Sequence, residues 1–157
     1  MFFLSLLANH HLPIFLVLLL LYREYLMPYV ELIAILAVLQ FLFFGAMTGR
    51  ARIKSGLKAP AIAGHEGFER MYRVQMNTLE SLVAFIPALF IASNYWSALL
   101  VSGLGAVYLV GRFIYWRAYV SAPEKRGIGF MISMIPILFL IMLSLVGVVI
   151  SLIGDKV

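Results

Sequence analysis

Four stretches of the chain are each long and apolar enough to cross a lipid bilayer as one helix. They cover residues 28–48, 68–93, 96–117 and 128–153. A spanning helix needs about 20 mostly apolar residues, because the hydrocarbon core is about 30 Å thick. Hydrophobic residues make up 64% of the 157 residues and charged residues only 12%, which excludes an ordinary soluble domain. The pattern predicts an all-α membrane protein built as a four-transmembrane-helix bundle.

Residues 1–26 form an apolar extension ahead of these segments. Asn9, His10 and His11 interrupt it, and Pro13 follows. It has neither the basic start nor the small-residue cleavage site of a signal peptide. Three interpretations stay open: a mis-called start with the functional chain beginning at Met27, a leader that is interfacial or uncleaved, or an extra, imperfect span. We take residues 27–157 as the transmembrane domain.

Basic residues are concentrated in two connections between spans, whereas Asn94 and Tyr95, between the second and third spans, carry no charge. The basic residues of these connections are Arg50, Arg52, Lys54, Lys58, Arg117, Lys125 and Arg126. Short loops rich in Lys and Arg stay on the cytoplasmic side of a membrane. Both basic loops are therefore predicted to be cytoplasmic. We interpret the net charge of +5 as a determinant of topology, and predict no nucleic-acid partner.

The second span carries a polar face in an otherwise apolar segment. At about 100° per residue its charged and amide side chains fall within an arc about 100° wide, except for Gln75, which points elsewhere. The residues of this stripe are Glu66, Glu69, Arg70, Arg73, Asn77 and Glu80. Ionisable groups inside a span usually face a bundle interior or a water-filled cavity. Two interpretations are open. The stripe is a ladder of ion pairs, in which Glu80 pairs with Arg73 or with another helix, or it is a site for a charged ligand. Both interpretations can hold together.

The third span carries a matching stripe. Tyr108, Arg112, Tyr115 and Tyr119 are spaced four, three and four residues apart, so they share one helix face. An interfacial aromatic belt explains Tyr119 but not Arg112, which lies about a turn and a half deeper. This face predicts a polar pocket lined by Arg112 and the tyrosine side chains beside it. The chain has no cysteine and its three histidines lack ligand spacing, so no metal site is predicted.

Two segments of the sequence resemble signature motifs of the MAPEG family, the membrane-associated proteins in eicosanoid and glutathione metabolism. They are FERMYRVQMNTLE at 68–80 and YLVGRFIYWRAY at 108–119, the latter followed by APEKR at 122–126. The resemblance covers about residues 27–153 and is to bacterial-type members similar to membrane glutathione S-transferases. It implies a homotrimer of four-helix subunits, in a bacterial inner (plasma) membrane. The active site would lie between adjacent subunits, towards the cytoplasm, and hold glutathione.

Carried over residue by residue, the resemblance implies a catalytic role for Arg126, which matches the arginine proposed to activate the thiol. The implied glutathione-binding residues are Arg52, Arg73, Gln75, Asn77, Glu80, Tyr115 and Tyr119. Ser81 stands where the leukotriene-synthase branch has tyrosine, which weighs against leukotriene synthesis. Arg73 and Glu80 are retained, whereas the non-enzymatic branch loses them, so the resemblance favours an enzyme.

The chemistry of glutathione is compatible with these residues. Its carboxylates suit arginine guanidinium groups, and its ammonium suits an acid such as Glu80. Because the chain has no cysteine, glutathione as co-substrate must supply the sulfur nucleophile. The predicted function is an integral membrane glutathione S-transferase/peroxidase that conjugates or reduces lipophilic electrophiles arriving through the lipid bilayer. The alternative is a non-catalytic member that binds lipid or assembles a partner. A transporter ranks third, because the spans show no inverted repeat.

Overall fold

The structure, a computed structural model, describes residues 14–154, with side chains at Ile14 and at residues 25–154. Within this part the chain forms four α-helices and one short 3-10 helix. They are α1 (Ile14–Ser55), α2 (Glu66–Tyr95), α3 (Ala98–Ser121), the 3-10 helix Pro123–Lys125, and α4 (Arg126–Gly154). Each α-helix contains a stretch long and apolar enough to cross a membrane. The prediction of an all-α membrane protein with four spanning helices is confirmed.

Helix α1 begins well before the predicted start of the first span. It runs from Ile14, and Pro28, the first residue of the predicted span, lies inside the helix. A proline inside a helix removes one backbone hydrogen bond, but neighbouring helices can compensate for this in a membrane bundle. Residues 14–26 are therefore helical and continuous with the first span. The rest of the apolar extension, residues 1–13, lies outside the described residues, and the functional start at Met27 stays a prediction.

Several cationic residues that the sequence assigned to loops belong to helices. Arg50, Arg52 and Lys54 lie in the last turns of α1, and Arg117 lies in α3. The spans are predicted from apolar residues alone, so they end where charged residues begin. A helix can continue past the hydrocarbon, because long cationic side chains reach water with their charged ends. The first connection is consequently shorter than expected.

The turn between α2 and α3 is formed by Trp96 and Ser97 rather than by Asn94 and Tyr95, because α2 continues to Tyr95. The Trp96 indole N–H donates a hydrogen bond of 2.8 Å to the carbonyl oxygen of Leu143 in α4. This bond ties the turn to the end of the bundle opposite the basic loops.

Helices α3 and α4 pack with their backbones in contact. A Cβ atom at Gly111 would lie 2.5 Å from the Ser133 nitrogen, and a Cβ at Gly129 would collide with the backbone of Tyr115. Small residues permit this kind of close approach between membrane helices. The contact fixes the position of Tyr115 relative to the start of α4.

A candidate binding site at the basic end of the bundle

The two conspicuous helix faces in the sequence meet at Asn77 and Tyr115. The Asn77 side-chain amide, on α2, donates a hydrogen bond of 2.6 Å to the phenol oxygen of Tyr115 on α3. Tyr115 is almost fully buried, and its backbone lies against Gly129 of α4. Three helices therefore determine where this phenol sits.

Arg112 lies one turn deeper than Tyr115, and only 1% of it is exposed. Its guanidinium carbon is 4.2 Å from the centroid of the Tyr115 ring. Its Nη2 atom donates to the Thr78 hydroxyl at 2.6 Å and to the Val74 carbonyl at 3.4 Å. Among the described residues Arg112 forms no salt bridge, and its Nε has no hydrogen-bond partner. A buried cation is thus balanced by neutral dipoles and an aromatic face.

Tyr119 and Arg126 extend this arrangement towards the end of the bundle. The rings of Tyr115 and Tyr119 meet edge to face, with centroids 5.4 Å apart. The guanidinium carbon of Arg126 is 5.4 Å from the Tyr119 ring centroid. Arg126 also donates a hydrogen bond of 2.9 Å to the Pro123 carbonyl oxygen, so the short 3-10 helix holds it beside α3.

A cavity of about 450 Å³ opens beside these residues, a size typical of small-molecule sites. Its lining residues come from α2, α3, the 3-10 helix and α4: Asn77, Tyr115, Glu124, Arg126, Gly127 and Phe130. Glu124 was not expected in the site. The sequence places it two residues before Arg126, which could have suggested a place in the site. It lines the cavity because the connection between α3 and α4 is a 3-10 helix.

Arg73 and Glu80 lie on the exposed face of α2. Neither forms a hydrogen bond or an ion pair with any residue that the structure describes, so the suggested pairing of Glu80 with Arg73 is not found in this part of the chain. The stripe's ion pair is instead between Arg70 and Glu66. Arg70 also donates to the Val120 carbonyl oxygen at 3.2 Å, which ties the start of α2 to α3.

Arg52 and Gln75 lie away from the cavity. Arg52 donates to the Ala61 carbonyl oxygen at 2.6 Å, and its guanidinium carbon is 4.4 Å from the centroid of the Phe68 ring. Gln75 faces α1, since its amide nitrogen would lie 3.3 Å from a Cβ at Gly45. Within one chain the structure therefore brings together only part of the predicted set. Of that set, Asn77, Tyr115 and Arg126 line the cavity, and Tyr119 contacts Tyr115 and Arg126.

The fold and the cavity define an integral, multi-pass membrane protein with a polar site at one end of an apolar helix bundle. The MAPEG family matches this chain over residues 30–146. The chain belongs to that family, and the resemblance of its two motifs is confirmed.

Relatives include both enzymes and a protein of undefined activity. An uncharacterised protein of Synechocystis sp. is 40% identical over 117 residues, which cover 74% of this chain and 85% of that protein. Human microsomal glutathione S-transferase 2 is 33% identical over 123 residues, covering 78% and 84%. Leukotriene C4 synthase of Cavia porcellus is 31% identical over 94 residues, covering 60% and 63%.

Proposed function

We propose that this protein is an integral membrane glutathione transferase that acts on lipophilic electrophiles and reduces lipid hydroperoxides. The observation that carries the proposal is the cavity that Asn77, Tyr115 and Arg126 line together, with the Asn77 amide hydrogen-bonded to the Tyr115 phenol. Similarity to proteins named microsomal glutathione S-transferase supports glutathione as the thiol substrate. The electrophile would enter from the surrounding bilayer.

We further propose that the site is shared between adjacent subunits of a homotrimer. Glu80 lies about 21 Å along α2, in the middle of a spanning helix, and is exposed in the single chain. A carboxylate facing hydrocarbon is costly, so a neighbouring subunit and a bound ammonium would both stabilise it. In this arrangement Arg73 and Glu80 join the cavity of their own subunit, and Arg52 and Gln75 reach the cavity of the next one.

Arg126 would act on the sulfur of glutathione. A free thiol has a pKa of about 8.5, so little of it is thiolate at neutral pH. A nearby guanidinium stabilises the thiolate and lowers the pKa of the thiol. In conjugation the thiolate forms a carbon–sulfur bond and the electrophile releases its leaving group. In peroxide reduction two glutathione molecules become the disulfide, and the hydroperoxide becomes an alcohol and water.

The location follows from the same arguments. Two clusters of Lys and Arg flank one end of the bundle, which supports a cytoplasmic position for that end and for the site. A cyanobacterial relative supports a bacterial protein, and we propose the inner (plasma) membrane.

The proposal is tested by glutathione binding to the purified protein and its Arg73→Ala variant. We expect Arg73→Ala to weaken glutathione affinity by about tenfold or more, because a charge-assisted hydrogen bond contributes about 1.5–3 kcal/mol. The matched control is Arg70→Ala, one turn earlier on α2, whose side chain is occupied by Glu66 and Val120. Unchanged affinity in an intact Arg73→Ala assembly would contradict the proposed binding role.

Thiolate formation separates an enzyme from a non-catalytic member of the family. Ultraviolet absorbance of glutathione bound at neutral pH should show a thiolate band in the wild-type protein. Glutathione bound as the neutral thiol, without turnover of an aryl halide, would instead identify a lipid-binding or partner-assembling protein.

A further inference from the structure

A second cavity, of about 370 Å³, lies at the same end of the bundle between α1, α2 and α3. It shares no lining residue with the first cavity. Its inner wall is apolar and includes Met47, Ala51, Phe68, Met71 and Trp116. Phe68 is fully buried and Met71 is 4% exposed, so the wall belongs to the packed interior of the bundle. The proposed transferase chemistry makes no use of this space.

Cationic side chains lie at one edge of this apolar wall. Arg50 and Lys54 line the cavity four residues apart on α1, and therefore on one helix face. Arg117 does not line the cavity but lies near it, with its guanidinium carbon 5.7 Å from the centroid of the Trp116 ring. No Asp or Glu among the described residues lines the cavity. The space thus combines an apolar interior with a positively charged edge.

The cations of the edge are not neutralised within the described chain. Within the part of the chain that the structure describes, the one hydrogen bond from the Arg50 side chain goes to the Met47 sulfur, at 3.8 Å, which is a weak acceptor. Lys54 makes no hydrogen bond or ion pair with any residue that the structure describes. Both residues belong to the last turns of α1, where a spanning helix leaves the hydrocarbon. A ligand with an anionic head and an apolar tail would complement both parts of the cavity.

We propose that this cavity binds an anionic membrane phospholipid. Arg50 and Lys54 hold its phosphate, and an acyl chain lies between α1 and α3 against Met71 and Trp116. Basic pockets between membrane helices on the cytoplasmic side recognise anionic lipid headgroups in this way. A soluble anion would leave the apolar wall unfilled, whereas an uncharged lipid would leave the cations without a counterion.

Quenching of tryptophan fluorescence tests this proposal in the full-length chain. Trp96→Phe leaves Trp116 as the single tryptophan, because the chain contains two. The detergent-solubilised protein is titrated with phosphatidylglycerol carrying brominated acyl chains, and in parallel with phosphatidylcholine carrying the same chains. We expect phosphatidylglycerol to quench Trp116 at lower concentration. Native mass spectrometry of the protein with both tryptophans provides the same comparison without the substitution.

Two sets of variants locate the headgroup and the chain. Arg50→Ala with Lys54→Ala should raise the half-saturating phosphatidylglycerol concentration about tenfold or more. Lys58→Ala with Lys125→Ala removes the same charge from exposed residues outside the cavity and should leave it unchanged. Ala51→Phe fills the cavity and should abolish quenching; the smaller Ala51→Leu is the second choice where phenylalanine prevents folding.

Several results would overturn the proposal. One is equal binding of the two lipids, and another is unchanged binding after removal of Arg50 and Lys54. Quenching at the wild-type level after the cavity is filled would place the acyl chain elsewhere. Inorganic phosphate that displaces the lipid at comparable concentration would identify a site for free phosphate instead. All these readouts are independent of glutathione, so they hold whether or not the transferase proposal does.

Discussion

Arg112 shows how a single charge can be kept inside a membrane bundle. Its guanidinium bonds to Thr78 and to the Val74 carbonyl, and it lies against the ring of Tyr115. Taking a cation out of water is costly even when dipoles surround it. We therefore interpret Arg112 as a positioning residue: it packs against the ring of Tyr115, whose phenol accepts the hydrogen bond from Asn77.

Replacing Arg112 by methionine separates this positioning role from stability. Buried ion pairs exchanged for apolar residues of similar volume often leave a protein equally stable, or more stable by about 1–4 kcal/mol, because charges no longer have to be kept out of water. Arg112 is buried without an ionic partner among the described residues, so the same saving applies to it. We expect Arg112→Met to retain or raise the thermal unfolding temperature in detergent while lowering turnover. The control Arg112→Ala leaves a cavity and should lower the unfolding temperature. A large drop in Arg112→Met would mean that the cation holds the bundle together.

The proposed role of Arg126 makes a prediction about pH. Loss of a thiolate-stabilising cation raises the pKa of bound glutathione, so the thiolate form appears only at higher pH. Turnover of an aryl halide by Arg126→Ala, measured from about pH 6 to 9, should therefore rise at higher pH than in the wild type; each unit corresponds to about 1.4 kcal/mol. Lys125→Ala, the adjacent cation, serves as control. Equal rates and an unshifted profile would assign Arg126 to membrane anchoring.

The sequence predicts much of this residue-level picture, because helical periodicity determines direction. It predicts that Asn77 and Gln75 point different ways, and that Arg112, Tyr115 and Tyr119 share a face. Periodicity does not show how faces of different helices are paired. The Asn77–Tyr115 bond and the entry of Glu124 into the cavity depend on tertiary contacts that no local pattern contains.

Among the elements, α3 and α4 are the pair whose spacing determines the site. The two glycines at their contact leave no room for a Cβ atom, and one of them lies against the backbone of Tyr115. The sequence shows these glycines but not their partners, since glycine is common in membrane helices. The sequence also misplaces the helix ends. An apolar stretch marks the part of a helix that lies in the hydrocarbon, whereas the backbone hydrogen bonds of the helix continue beyond it.

A methyl group at this contact should be harmful. Gly129→Ala is expected to destabilise the protein by about 1–3 kcal/mol, because α3 and α4 must separate. Gly103→Ala is the control, since its added Cβ meets no atom within 4 Å, and it should be neutral or slightly stabilising. Thermal unfolding of the two variants in the same detergent decides the point, and equal unfolding temperatures would mean that the helices are loosely packed.

For the whole molecule, a site divided between subunits can be tested by mixing variants. Arg52→Ala and Arg73→Ala should each impair the homotrimer. In mixed trimers formed by co-expression, about a quarter of the sites would pair a subunit with intact Arg73 and a neighbour with intact Arg52, so activity should partly return. Light scattering should give the mass of three chains. No recovery in mixed trimers would place both arginines in a site within one subunit.

The orientation of the whole molecule in the membrane is predicted from the distribution of its Lys and Arg residues. Reporter fusions after Lys58 and after Glu124 should report the cytoplasm, and a fusion after Val157 the opposite side, because Lys and Arg are retained inside. An external signal at Lys58 would reverse the orientation of the site as well.

The turn at Trp96 sets the angle at which α3 leaves α2, at the end of the bundle opposite the cavity. Tyr115 lies about 28 Å from Trp96 in the direction of α3, so a rotation of α3 by about 2° at the turn would strain the contacts of Tyr115 with Asn77 and Gly129 by about 1 Å. A displacement of that size at reacting groups can change a rate by about a hundredfold. The hydrogen bond from Trp96 to Leu143 restrains this rotation from the opposite end of the bundle. The positions of the side chains at the cavity therefore depend on the angle set at a distant turn, because the length of α3 magnifies a small angular change there.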